Sequence, residues 1–394
     1  MILPHCVSDY LVSGEQSPHL AIRLSVPGNF SPGTLCGKII AMNMENQEEV
    51  VRPLGVIGCL RAGFELVGRQ LWLVTLPVLL DLILWAGPRV SIEPLLKELT
   101  DIMGIQTAID PALTSQVQVL NEMILQLGQE FNLLSLLGGI PVLTVPSLLA
   151  VYPVVGGWPL GEAVTWSVDG FLALAGWWVF LMPIGLALGF IYLYSVADQV
   201  RNRVGDEDLD GVPVSTGEVE SVTVVESRPL AATFWGKLLW YMVFAVVLLL
   251  AQIVGLPITM FIISMIMAVI PVLGVVIWVF GIGFAFYVLL QLIFVIHGVL
   301  LGERNLLRAV WESFLLVRSQ FWSVMVLVLL VLVVYQGLGR LWAIPEGSSW
   351  TLLIGILANA CVATGLVAAT FIFYLERIEF LSQPWWIARR TKTE

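Results

Sequence analysis

The sequence predicts an all-α fold: a polytopic transmembrane helical bundle of about six spans, with amphipathic interfacial helices and both termini on the inner face. Three observations predict it. Apolar residues make up 58% of the 394 and charged residues only 12%, against roughly half and a quarter in soluble chains, and the mean hydropathy is +0.91. Charge-free windows recur that are long enough for the ~20 apolar residues a spanning helix needs. Lysine and arginine, 19 in all, fall almost entirely on one side of the threading those windows allow. The formal net charge of −10 gives no electrostatic footprint for nucleic acid, whose recognition calls for a basic patch.

Residues 1–51 read as a disordered tail: mixed polarity, no sustained periodicity, and turn-prone pairs at Ser17-Pro18, Pro27-Gly28 and Pro32-Gly33. They lack a basic stretch followed by an apolar one, so they do not read as a signal peptide. Met42 and Met44, followed by Glu-Asn-Gln-Glu-Glu, suggest that translation begins there and that 1–41 precede the true start. The first membrane half is assigned to 52–197. Its first window is 71–87, interrupted by Asp81. Residues 88–130 read as helical, with Leu120, Met123, Ile124, Leu127, Phe131 and Leu134 on one stripe that packs on the bundle or rests at the membrane surface. The window 131–161 carries four prolines (141, 146, 153, 159) and five glycines (138, 139, 156, 157, 161). That content disfavours a straight helix, and a single crossing there would reverse every later loop, so a hairpin that enters and leaves on the outer side is expected. A span over 170–197 closes this half.

An acidic cytoplasmic loop, 198–233, leads to the second half, 234–381. There the charge-free window 238–302 holds 65 residues, about 97 Å of helix at about 1.5 Å per residue. Arg201, Arg203, Arg228 and Lys237 precede it, and Arg304, Arg308 and Arg318 follow. Two basic flanks require an even number of crossings, so it reads as two long helices with a kink or turn between about 255 and 273. Windows 319–339 and 347–375 supply the last spans, and 382–394 form a basic tail whose Trp385 and Trp386 anchor at headgroup level. Only Arg89, Lys97 and Arg340 then lie outside, leaving 16 of 19 basic residues inside. Trp72, Trp235, Trp240 and Trp322 fall near inner ends, and Trp85, Trp158, Trp342 and Trp350 near outer ones.

An offset of 250 residues aligns two lead-ins. Val67-Gly-Arg-Gln-Leu-Trp-Leu-Val74 matches Val317-Arg-Ser-Gln-Phe-Trp-Ser-Val324 at Val, Gln, Trp and Val, and Leu60, Phe64, Val67 and Leu71 fall on Val310, Phe314, Val317 and Phe321. Spacings of 4, 3 and 4 place each set on one helical face. Each lead-in reads as an amphipathic helix lying in the inner leaflet that turns into a span; duplication and convergence both produce such a pair. The stretches Gly63-Phe-Glu-Leu-Val-Gly-Arg-Gln-Leu-Trp72 and Glu312-Ser-Phe-Leu-Leu-Val-Arg-Ser-Gln-Phe-Trp322 resemble six-span bacterial integral membrane proteins related to the membrane domain of glycerophosphodiester phosphodiesterases. The resemblance implies a bundle over about 52–381. The chain carries no phosphodiesterase domain, so the resemblance implies no such activity.

Residues that could carry chemistry are few. Cys6, Cys36, Cys59 and Cys361 share no metal-ligand spacing, and His5, His19 and His297 are scattered. No nucleophile elbow, Walker loop, H-E-x-x-H or dinucleotide-binding glycine pattern occurs. Asp81 stands mid-span, where a carboxylate costs about 2.5–3.5 kcal/mol on insertion scales. It therefore faces the bundle or a cavity, as a proton or cation relay or as a hydrogen-bonded packing residue. With Gln252, Gln291, His297 and Asn359 it forms the candidate intramembrane polar site. Asp206, Asp208 and Asp210 open a D-x-D-x-D-G pattern, the start of a calcium loop, but position eight is Pro213 and position twelve is Gly217, so a solvated linker is the simpler reading. Gly185-x-x-x-Gly189 and Gly365-x-x-x-Ala369 allow close helix contact.

The reading that follows is a non-catalytic multi-pass protein of the bacterial inner membrane: a scaffold, accessory or envelope-maintenance component, with no cofactor. Its partners are the lipid bilayer and either another membrane protein or a second copy. The alternative is a transporter or permease for a small or lipid-like molecule, marked by a polar cavity reaching Asp81; a core filled by Leu, Val and Phe marks the scaffold. Reporters inserted near residues 110 and 215 test the threading: the first is expected to be reached from outside the cell and the second only from within. The same compartment for both would overturn it.

Overall fold

Prolines, glycines and two glutamines set where the apolar chain bends. In the computed structural model, residues 53–107, 114–139, 143–154, 158–161, 164–209, 233–302 and 305–382 are described, all within the unit Arg52–Glu394; the candidate start at Met42 and the Trp385-Trp386 anchor lie outside them. Helix α1 (Val56–Arg69) runs through a 3-10 turn (Leu71–Val74) into α2 (Thr75–Ala86). Strand β1 (Arg89–Ser91) follows, then α3 (Glu93–Thr107) and α4 (Thr114–Glu130), which pack on each other. A 3-10 turn (Leu133–Leu137), the single-turn α5 (Leu148–Val151) and β2 (Thr165–Ser167) lead into α6 (Phe171–Leu209). The second half contains α7 (Phe234–Leu250), a π-helical turn (Ala251–Gly255), α8 (Leu256–Val269), α9 (Pro271–Ile293), α10 (Val295–Leu301), α11 (Leu306–Ser319), α12 (Phe321–Trp342) and α13 (Thr351–Ser382). Among the described residues, five helical stretches are long and apolar enough to cross a membrane, and α1 with α2, bent by 95°, makes a sixth if counted as one broken span. The chain is an all-α polytopic bundle.

The two lead-ins form matching elbows. Gln70 caps α1 at φ −126°, ψ 60°, and Gln320 caps α11 at φ −122°, ψ 30°, each turning the chain into an apolar helix. The buried faces keep the 250-residue register: Cys59, Gly63, Leu66 and Val67 on α1 correspond to Ala309, Ser313, Leu316 and Val317 on α11. Phe64, Leu71 and Val310 are exposed, because small residues let helix backbones approach and leave bulky side chains to lipid. A Cβ on Gly63 would lie 2.5 Å from the Gly365 carbonyl oxygen and 2.6 Å from the Ala369 nitrogen. The Gly365-x-x-x-Ala369 motif is thus the seat of α1.

The long charge-free window forms an antiparallel hairpin, Phe234–Val269 and Pro271–Leu301. Pro271 begins the second leg at the first helical position, and Ile270 before it is extended at φ −135°, ψ 87°, as a residue preceding proline must be. Pro257 breaks nothing: its ring would crowd the carbonyl four residues earlier, and that carbonyl sits in the wider π-helical turn. From 250 to 289 nearly every residue is exposed. The base of the hairpin is tied to the bundle, where Arg201 and Lys237 donate to the Leu300 carbonyl at 3.2 and 2.6 Å and Arg201 to that of Leu301 at 2.8 Å. These cations cap the C-terminal end of α10, where the helix dipole favours positive charge.

Three details refine the expected elements. Helix α6 does not stop at 197 but continues to Leu209, so the start of the expected acidic loop is helical. On α4 the stripe residues Leu120, Met123 and Leu127 are exposed, the second of the two expected placements, while the helix turns its Gly128 side against Glu93 and Leu96 of α3. A parallel pair of strands joins Arg89, Val90 and Ser91 to Thr165, Trp166 and Ser167, too short to show as alternation in the sequence.

The α1 seat yields a prediction. Gly63→Ala should lower the thermal stability of the purified protein in detergent by about 1–3 kcal/mol, the usual cost of overpacking. Gly68→Ala, which meets nothing within 4 Å, should leave it unchanged or slightly raised, as a melting curve monitored by tryptophan fluorescence would show.

Candidate functional site

The segment from Phe131 to β2 enters the bundle and returns to the end it came from. At its start Arg89 donates to the Gln129 carbonyl at 2.8 Å and Asn132 Oδ1 accepts from Val90 N–H at 3.0 Å; at its finish β2 pairs with β1. Between these points Leu137 and Leu143 lie against α6, where Cβ atoms on Gly185 and Gly189 would strike the backbone of Leu137 and Leu143. The Gly185-x-x-x-Gly189 motif therefore receives a hairpin rather than another spanning helix.

Such a hairpin brings backbone N–H and C=O groups into hydrocarbon, where each unsatisfied one costs several kcal/mol. Asp81 answers most directly. It is fully buried, and its carboxylate accepts from Ser147 Oγ at 2.5 Å, from Leu149 N–H at 3.0 Å and, through the other oxygen, from Leu148 N–H at 3.0 Å. Those amides open α5, whose N-cap Ser147 also accepts from Ala150 N–H at 3.0 Å. A carboxylate on a helix N-terminus meets both the orphan donors and the positive end of the dipole. The Tyr241 hydroxyl donates to the Leu143 carbonyl, and that of Tyr335 lies 3.4 Å from the Ser147 carbonyl.

The five residues expected to share one polar site do not converge. Gln252 stands exposed on the π-helical turn of the hairpin. Gln291 and Asn359 have buried amide groups with no hydrogen-bond partner. His297 sits on α10, with Nδ1 3.1 Å from the Ile293 carbonyl and Nε2 2.9 Å from Thr370 Oγ1; Phe371 lies 4.2 Å from its ring centroid and Phe294 5.3 Å. The carbonyl only accepts, so Nδ1 carries a proton, and the threonine hydroxyl completes the ring. Asp206 and Asp208 lie on the helical backbone at the end of α6, whereas a calcium loop needs a turn that aims alternate oxygens inward; Asp210 lies outside the described residues. Among the described residues no group of three or more His, Cys, Asp or Glu is placed to hold a metal ion.

Sequence reasoning missed Ser147, Tyr241 and Tyr335 as partners of the hairpin. Ser147 had a legible signal, a serine after Pro146 and before an apolar run, which is how a helix N-cap reads. The tyrosines had none, since their roles depend on which carbonyl the fold sets beside them.

A cleft of about 220 Å³ lies beside the hairpin. It is lined by Gly138, Gly139 and Val151 of the hairpin, Leu193 of α6, Ile296 of α10, Val328, Val331 and Leu332 of α12 and Ala363, Leu366 and Val367 of α13, with His297, Thr370, Tyr335 and Thr144 as polar members. Asp81 is not part of it.

The Asp81 geometry predicts an order of damage. Asp81→Ala leaves three donors without their acceptor and should destabilise most, while Asp81→Asn turns one oxygen into a donor facing an N–H and should cost about 1–3 kcal/mol. Ser147→Ala should cost less, and a double-mutant cycle with Asp81→Asn should show strong non-additivity in thermal unfolding. Additive losses would mean that the two side chains do not act together.

The chain matches no protein-family model, no curated protein and no solved structure.

Proposed function

We propose that the chain is a non-catalytic multi-pass membrane protein that serves as a scaffold, accessory or envelope-maintenance component, held in a bacterial inner membrane with both ends of the chain in the cytoplasm. One observation carries this reading: the mid-span carboxylate is consumed as a structural cap. Asp81 accepts three hydrogen bonds from the hairpin and is fully buried. A relay group has to exchange its proton with a pathway, and the cleft stops short of Asp81. Leu, Val and Phe make up much of the buried core of the bundle, as a scaffold needs.

Support for a partner comes from the hairpin of α7 to α10. Its legs of 36 and 31 residues are about 54 and 46 Å long at about 1.5 Å per residue, well beyond a hydrocarbon core of about 30 Å. Tilting absorbs part of such an excess, and a neighbouring membrane protein or a second copy absorbs the rest.

Complementation of a deletion strain tests the reading. Asp81→Asn, expressed so that its membrane level equals that of the unaltered protein, is expected to restore the phenotype fully. Lost complementation at equal membrane level would show that the carboxylate does chemistry and would return the transporter reading.

A further inference from the structure

We propose that the 220 Å³ cleft beside the hairpin is a binding site for one acyl chain of a bilayer phospholipid. Spanning helices and the hairpin line it, and two of its lining residues, Leu332 and Val151, are exposed on the hydrocarbon side, so lipid is what has access. An engineered apolar cavity of about 150 Å³ takes up benzene; this larger cleft is likewise lined mainly by apolar side chains, with Thr144, His297, Tyr335 and Thr370 as its polar members.

Length and position select a chain over a compact guest. Along α12 the lining runs from Val328 to Tyr335, and along α13 from Ala363 to Phe371. Those stretches are about 10–12 Å long at about 1.5 Å per residue, comparable to one leaflet's share, about 15 Å, of a ~30 Å core. Counted from the elbow at Gln320, the cleft begins about 12 Å and ends about 22 Å along the helix, within the depth where acyl chains lie.

The polar groups at its margin argue against a free fatty acid. Both nitrogens of His297 are engaged, by Ile293 and Thr370, the Tyr335 hydroxyl reaches the Ser147 carbonyl, and Thr144 has an interaction of its own within the protein. No Lys or Arg lines the cleft to take a carboxylate. The cleft asks for hydrocarbon alone, with the headgroup left at the membrane surface. The site stands apart from the scaffold reading, since it needs neither a partner nor Asp81.

Photolabelling tests it. The full chain is placed in nanodiscs of phosphatidylcholine doped with a phosphatidylcholine bearing a diazirine near the end of one chain, irradiated, digested and mapped by mass spectrometry. Adducts are expected on 328–335 and 363–371 in several-fold excess over the exposed hairpin 256–289, which samples bulk lipid. Ala363→Leu and Val331→Phe, which fill the cleft, should each lower the cleft adducts at least five-fold. Hairpin labelling should stay unchanged, which also reports that the fold persists. Three results would overturn the proposal: cleft labelling no greater than on the hairpin, cleft labelling unaffected by both substitutions, or labelling by a free fatty acid carrying the same diazirine but not by the phospholipid.

Discussion

A backbone that leaves helical geometry inside hydrocarbon has to find every hydrogen-bond partner within the protein, and the segment from Asn132 to Val151 is where this chain meets that demand. Donors of this segment go to Asp81, Asn132 and Ser147, and its carbonyls receive Tyr241 and Tyr335. The partners come from α2, α7 and α12 as well as from the segment itself, so the hairpin ties both halves of the chain together. Close approach is the second half of the bargain: glycine at 185 and 189 lets the hairpin backbone lie directly on α6.

At the other end of the bundle the basic residues do comparable work. Arg201 and Lys237 hold the last carbonyls of α10, Arg203 donates to the Ala62 carbonyl at 2.7 Å, and Arg377 reaches the Leu54 carbonyl at 3.3 Å while Glu376 accepts from Leu54 N–H at 3.0 Å. Basic side chains thus tie segments remote in sequence, and two of them close the end of α10. The tryptophans divide in the same way. Trp72, Trp235 and Trp322 stand exposed by the elbows and the start of α7, whereas Trp85 donates to the Gly347 carbonyl at 2.7 Å and meets Trp350 edge-on at 6.0 Å.

The paired elbows show how alike two remote segments can be in physical terms. Register is kept at a separation of 250 residues, down to the small residue at the point of closest packing, Gly63 in one copy and Ser313 in the other. The copies then use different seats: Gly63 meets the backbone of α13, while the Ser313 hydroxyl donates to the Gln291 carbonyl of α9. A shared interfacial geometry serves two different neighbours.

Helix content, the two-legged reading of 238–302, the elbows and the entering hairpin were all legible in one dimension. They follow from local rules: proline bars a donor and restricts its predecessor, an apolar run of sufficient length prefers lipid, and a glycine-rich stretch cannot stay helical. Which face of an elbow helix packs was not legible, because on an interfacial helix both the small and the bulky apolar sides are hydrophobic and only the neighbour's shape chooses between them. The fate of Asp81 was open for the same reason. Composition requires that a buried carboxylate have partners, but only the three-dimensional path of the chain brings Ser147, Leu148 and Leu149 to it across 66 to 68 residues of sequence, leaving Gln291 and His297 to other surroundings.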